Sequence, residues 1–174
     1  INDSKGARNT FSLTVKLFKD KKCQFDPWCL HNRDFNLFNN LLRKSHNENL
    51  LLFCKGEKDK AMNTMRDLYH AATLFFISLI DENEGAINTV LESLLEAHAL
   101  YPESGLIAMN AAKKLYLLGY REESLNMYEK AISLLPLQID LRIEYMKILH
   151  AYHMHTGAMN ELENAFKITS RISM

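Results

Sequence analysis

The 174 residues, 47% of them hydrophobic, are enough for one packed domain or a domain with an arm. Their longest apolar runs, such as Leu50 to Cys54 and Leu74 to Ile80, fall far short of the roughly 20 residues needed to cross a membrane. Formal net charge is zero but unevenly spread, with 10 basic and 6 acidic side chains in residues 1–57 against 11 and 15 in residues 58–174, so the two parts are +4 and −4. Three cysteines, Cys23, Cys29 and Cys54, are an odd number for a disulfide framework and point to a reducing compartment, cytoplasm or nucleus. Ile1 to Thr10 is polar, without the apolar stretch of a secretory signal, and reads as part of a longer protein.

Residues 1–57 form an aromatic, basic arm, expected to be irregular and partly helical. Phe11, Val15 and Phe18 suit one face of a helix, while Phe11, Leu13, Val15 and Leu17 alternate as a strand would; the helical character of everything downstream favours helix. Asp26-Pro27 marks a turn. After a cap at Asp34, Phe35, Phe38, Leu41 and Leu42 share one helical face. Lys55-Gly56-Glu57-Lys58 is a polar break before a long helix expected from about Asp59 to Asp81.

From there on, within residues 58–174, the chain repeats. Segments 71–104, 105–138 and 139–172 align without a gap at 34 residues each. The alignment superimposes Ala97, Ala131 and Ala165; Pro102 and Pro136; Gly85 and Gly119; Val90, Ser124 and Ala158; Leu94, Tyr128 and Leu162; and Leu100, Leu134 and Ile168. Helices approach to about 8 Å only where side chains are small, so the alanines mark crossings. Leu91, Leu94 and Leu95, and then Leu125, Tyr128 and Ile132, recur at the spacing of an apolar helix stripe and are expected to face the core. Pro102 and Pro136 lack a backbone donor and restrict the preceding residue, ending one hairpin, and Ser104 is placed to cap the next helix.

In these features the chain resembles the tetratricopeptide repeat over about two thirds of its length. The middle segment carries the pattern best, with Ala112, Leu115, Gly119-Tyr120, Ser124, Tyr128, Ala131 and Pro136 in order. Ala108 stands where the family often has Trp, His153 replaces the turn glycine of the third segment, and Ser170 replaces its proline, so the third segment could bend differently. Arg142-Ile-Glu-Tyr145 followed by Glu161 to Phe166 is also similar to half-a-tetratricopeptide repeats, a subclass found mostly in RNA-processing assemblies. The resemblance implies an all-α fold, a right-handed superhelical array of antiparallel helix hairpins.

Catalytic chemistry has no foothold in the motifs. There is no Gly-x-Ser-x-Gly, no phosphate-cradling glycine loop and no His-Glu-x-x-His helix, so neither an enzyme nor a cofactor or small-molecule substrate is expected. Cys23, Cys29, His31, His46 and Cys54 are the residue types of a zinc site at the wrong spacing. His150, His153 and His155 read as a polar helix end rather than as metal ligands.

Two binding functions follow. The resemblance implies a concave groove lined by first helices, and the positions expected there are Phe75, Leu79, Leu106, Met109, Asn110, Lys113, Tyr116, Asp140, Ile143, Glu144 and Lys147. A family clamp for a chaperone's C-terminal carboxylate would need Lys, Asn and Arg. Only Asn110 matches it, and Asp140 and Glu144 carry the opposite charge. An apolar groove favours an amphipathic helix or extended hydrophobic segment of a protein partner, unless residues 1–57 fill it. The alternative is an RNA-processing component touching RNA through Lys16, Lys19, Lys21, Lys22, Arg33, Arg43 and Lys44, a basic set interleaved with aromatics whose plainer role is to solubilise the arm.

Overall fold

The computed structural model describes residues 4–19 and 58–172. All regular elements among the described residues are helices: α1 (Ser4–Lys19), α2 (Lys58–Asn83), α3 (Ile87–Leu100), α4 (Gly105–Leu117), α5 (Arg121–Leu134), α6 (Ile139–Ala151) and α7 (His155–Ile172). The chain forms two compact units, Ile1–Ile107 and Ala108–Met174. The Asp26-Pro27 turn, the helix expected after Asp34 and the break around Gly56 lie outside the described residues.

The helix ends repeat the 34-residue phase. Asn83, Leu117 and Ala151 end the first helices, and Ile87, Arg121 and His155 begin the second ones. What fixes this phase is one C-terminal motif used three times. Gly85 and Gly119 have φ of 79° and 82°, and His153, one repeat further on, has φ of 61°. The Gly85 N–H donates to the Glu82 carbonyl at 3.1 Å and the Ala86 N–H to the Asp81 carbonyl at 3.1 Å. The same pair runs from Gly119 to Tyr116 (3.1 Å) and Tyr120 to Leu115 (2.9 Å), and from His153 to His150 (2.9 Å) and Met154 to Leu149 (2.8 Å). These are Schellman caps, which satisfy helix-end carbonyls by turning one residue left-handed. The third segment therefore bends as the others do, although a histidine must adopt the geometry that glycine takes without strain.

In the first unit, α1 and the hairpin α2–α3 pack through small and aliphatic residues. Ala71, Ala72, Val90, Leu94 and Ala97 are buried. Leu95, expected to face the core with Leu91 and Leu94, is exposed, because at 100° per residue it turns away from the stripe formed by Val90, Leu91, Leu94 and Ala97. The Ile107 N–H donates to Ser104 Oγ at 3.3 Å, the cap expected there. The choice between strand and helix for the arm is settled by α1: Leu13, which alternation would place beside Phe11, is 64% exposed while Phe11 packs inward.

In the second unit, α4 from Ala108 onward and α5, α6 and α7 share a core of Ala108, Ala112, Tyr128, Ala131, Ile132, Leu141, Tyr145, Ile148, Leu149 and Ala158. Ser124 at the α4–α5 crossing is fully buried and donates to the Ala112 carbonyl at 3.1 Å, so the small polar side chain leaves no unmet donor. Tyr128 and Tyr145 stack at 5.5 Å with an 18° interplanar angle.

Candidate partner-binding site

Two first helices, α4 and α6, bring most of the expected groove residues into the second unit. On α6, Asp140, Ile143, Glu144 and Lys147 fall at i, i+3, i+4 and i+7 and so share a face. On α4, Met109, Lys113 and Tyr116 do the same. The two faces are joined by an ion pair, Lys113 Nζ to Glu144 Oε2 at 2.8 Å. The other oxygen of Glu144 accepts from the Tyr128 hydroxyl at 3.1 Å, so the carboxylate is anchored from the core while its ion pair stays partly solvated. Met109 and Tyr116 are half-buried against the unit core, with Tyr116 edge-on to Tyr152 at 5.8 Å. Ile143 and Asn110 are half-buried, and Asp140 and Lys147 are exposed.

Burial and the adjacent carboxylate push the Tyr128 hydroxyl well above the ordinary phenol range, desolvation contributing most, then Glu144 through its charge and hydrogen bond, and last Tyr116. Tyr145 is raised in the same way, by burial first and then by Glu129, whose Oε1 accepts its hydroxyl at 3.1 Å. Both tyrosines are neutral donors that fix acidic side chains. Below them, Arg142 reaches Glu161 Oε2 at 2.7 Å and donates from Nε and Nη2 to the Pro136 carbonyl, both at 3.3 Å, tying α6 to α7 and to the turn before it.

The first unit treats its expected groove residues differently. Phe75 is buried and lies edge-on to Phe76 at 6.0 Å, and Phe76 in turn stacks on Phe11 of α1 at 5.9 Å. Phe76 stands 34 residues before Asn110 and 68 before Glu144, so α1 covers the face of α2 that corresponds to the expected groove face. Leu79 is exposed and Leu106 half-buried. Arg8, one helical turn before Phe11, forms a forked pair with Asp81, Nη2 to Oδ2 measuring 3.2 Å. Sequence reasoning missed this pair; the one available signal was a charged residue, Asp81, in the repeat column that otherwise holds Leu115 and Leu149.

Of the expected nucleic-acid contacts, Lys16 is exposed on α1 and Lys19 ends that helix. Lys21, Lys22, Arg33, Arg43 and Lys44 lie outside the described residues, as do Cys23, Cys29, His31, His46 and Cys54. The rings of His150 and His155 approach to 5.2 Å, and those of His153 and His155 to 6.0 Å. No group of three or more His, Cys, Asp or Glu among the described residues is placed to hold a metal ion. No helix among them is long and apolar enough to cross a membrane.

The arrangement matches solved structures of MamA. One superposes with a TM-score of 0.56 at 13% identity, covering 99% of this chain and 98% of that one. A second gives 0.55 at 14% identity, with 94% of each chain covered, and an RS-1 double mutant of MamA gives 0.55 at 13%, covering 91% and 96%. The fold is tetratricopeptide-like. At such identities the likeness speaks for fold alone. No protein-family model matches the sequence, and no curated protein matches it.

Proposed function

We propose that this protein is an interaction module that holds a segment of a protein partner on the face shared by α4 and α6. The observation that carries this reading is the joined surface itself: half-buried Met109, Tyr116 and Ile143 surround the Lys113–Glu144 bridge, between exposed Asp140 and Lys147. Apolar side chains supply the area from which water is displaced, and fixed charges supply orientation. Asp140 and Lys147 are seven residues apart on one helix, about 10 Å along its axis. An amphipathic segment with a basic group at the Asp140 end and an acidic group at the Lys147 end satisfies both. With α1 on the equivalent face of α2, the surface offered in the first unit is smaller and includes the exposed Leu79.

The test is affinity capture with the wild-type chain and with Met109→Glu and Ile143→Glu, each checked for unchanged helicity. Burying a carboxylate in an apolar contact is strongly unfavourable, so both variants are expected to lose the captured partner. Undiminished recovery by both refutes the α4–α6 surface.

A further inference from the structure

α1 differs from the other helices in how little it buries. Among residues 6–16 no side chain is fully withdrawn from solvent, and the inward face, Arg8, Phe11 and Val15 at i, i+3 and i+7, is only half-buried. Every other helix places buried side chains in a core. The sequence of α1 does little to keep it helical by itself. Gly6, Thr10 and Thr14 are weak helix formers, Lys5 opposes the dipole in the first turn, and no acidic residue among the 16 offers an i, i+4 partner. The Thr10 and Thr14 hydroxyls donate back to the Gly6 and Thr10 carbonyls at 3.1 and 2.9 Å, bonds that slightly disfavour a helix. Sixteen residues of this kind do not hold a helix alone in water. What holds them is the contact with α2. Arg8 forks onto Asp81, and Phe11 stacks on half-buried Phe76 at 5.9 Å. Charge is complementary over a wider area, since α1 carries Lys5, Arg8, Lys16 and Lys19, while the end of α2 and its turn carry Asp81, Glu82 and Glu84 with no basic residue in the last helical turn.

We infer that α1 is a detachable strap: it is helical only while docked, leaves α2 as one unit before the rest of the fold opens, and uncovers on leaving a binding face marked by Phe76 and Asp81. α1 is the ligand of that face in cis. Its recognition rests on an arginine and an aromatic residue three positions apart, the first reaching the carboxylate and the second the ring. Salt favours the released state, because the Arg8 side chain is 40% exposed and its charge is open to screening. The strap and its face do not depend on the α4–α6 surface.

Native-state hydrogen exchange on the full chain tests the detachment. Amides of residues 8–19 are expected to exchange through an opening at least about tenfold more populated than the one that exposes α3, and more often still with Arg8→Ala or in high salt. A helix-constrained, fluorescently labelled peptide with the sequence of residues 4–19, followed by anisotropy, tests the face; the constraint removes the coil-to-helix cost that would mask binding by a free peptide. It is expected to bind the Arg8→Ala chain at least about tenfold more tightly than the wild-type chain, whose own strap competes for the site. The gain should vanish when the peptide carries Phe11→Ala, or when the chain also carries Asp81→Leu. A helix that merely packs on α2 does not predict tighter binding from the loss of a contact. Three results overturn the proposal: residues 8–19 exchanging only together with α2 and α3, no binding of the peptide to the Arg8→Ala chain, or equal binding to that chain and to the wild type.

Discussion

Arg8 of α1 grips the carboxylate of Asp81 near the end of α2, and Asp81 occupies the repeat position where the next two hairpins bury Leu115 and Leu149. The Asp81 side chain is 3% exposed. An acidic group buried close to a helix C-terminus is unfavourable both by desolvation and by the helix dipole, and the guanidinium fork is what offsets it. The same hydrogen bond, followed by the charge of Asp81, raises the Arg8 pKa further. Removing the arginine while leaving the carboxylate is therefore expected to destabilise the first unit. Arg8→Ala should cost about 2–3 kcal/mol, less than a fully buried pair because Arg8 itself is partly solvated. Adding Asp81→Leu should recover most of the loss, as the leucines of the other hairpins occupy that position. Urea unfolding of both single variants and the double variant measures the coupling, and additivity would show that the pair does not hold α1.

His153 is the second point of tension. Its left-handed backbone completes the third cap in the series begun by Gly85 and Gly119. A non-glycine residue there is strained by roughly 1–2 kcal/mol, and part of the relief from a glycine is lost to the greater freedom of the unfolded chain. His153→Gly is expected to stabilise the protein by about 0.5–1 kcal/mol. A fall in the denaturation midpoint would mean that the histidine ring, through its contact with His155, contributes more than its backbone costs.

The buried tyrosines make stability sensitive to alkali. Tyr128 and Tyr145 have raised pKa values and Tyr69 is pushed up to about 12 by burial, against an ordinary value near 10. A phenol of this kind keeps its proton in the fold and releases it on unfolding. Its contribution is complete below about pH 10 and is lost as pH rises from there toward the folded-state value. Urea midpoints should fall between pH 10 and 12, with each tyrosine contributing up to about 1.4 kcal/mol per pH unit. Tyr145→Phe should flatten that slope by about one proton; an unaltered slope would contradict the assignment.

Much of the fold was legible because the repeat is written in residues with a single physical role. Alanines at crossings, glycines at left-handed turns and prolines after second helices recur in one phase, and the helix ends follow it. What lay hidden depended on side chains meeting across phases. Asp81 is visible as a charge in a leucine column, but its partner Arg8 belongs to the arm, where no repeat predicts its position. The repeat places Phe75 in the groove, whereas the structure buries it edge-on to Phe76, and Phe76 stacks on Phe11, a contact that the 34-residue pattern does not encode. Lys113 and Glu144 were both expected at the groove, yet their mutual bridge, anchored by Tyr128, emerged only when α4 and α6 were brought together.

The most direct test of the α4–α6 surface is amide hydrogen exchange on the wild-type chain with and without its captured partner. Protection should rise in residues 105–117 and 139–151, with no rise there when Ile143→Glu is exposed to the same partner. Protection confined to other helices, or equal protection in the variant, would contradict the proposed surface.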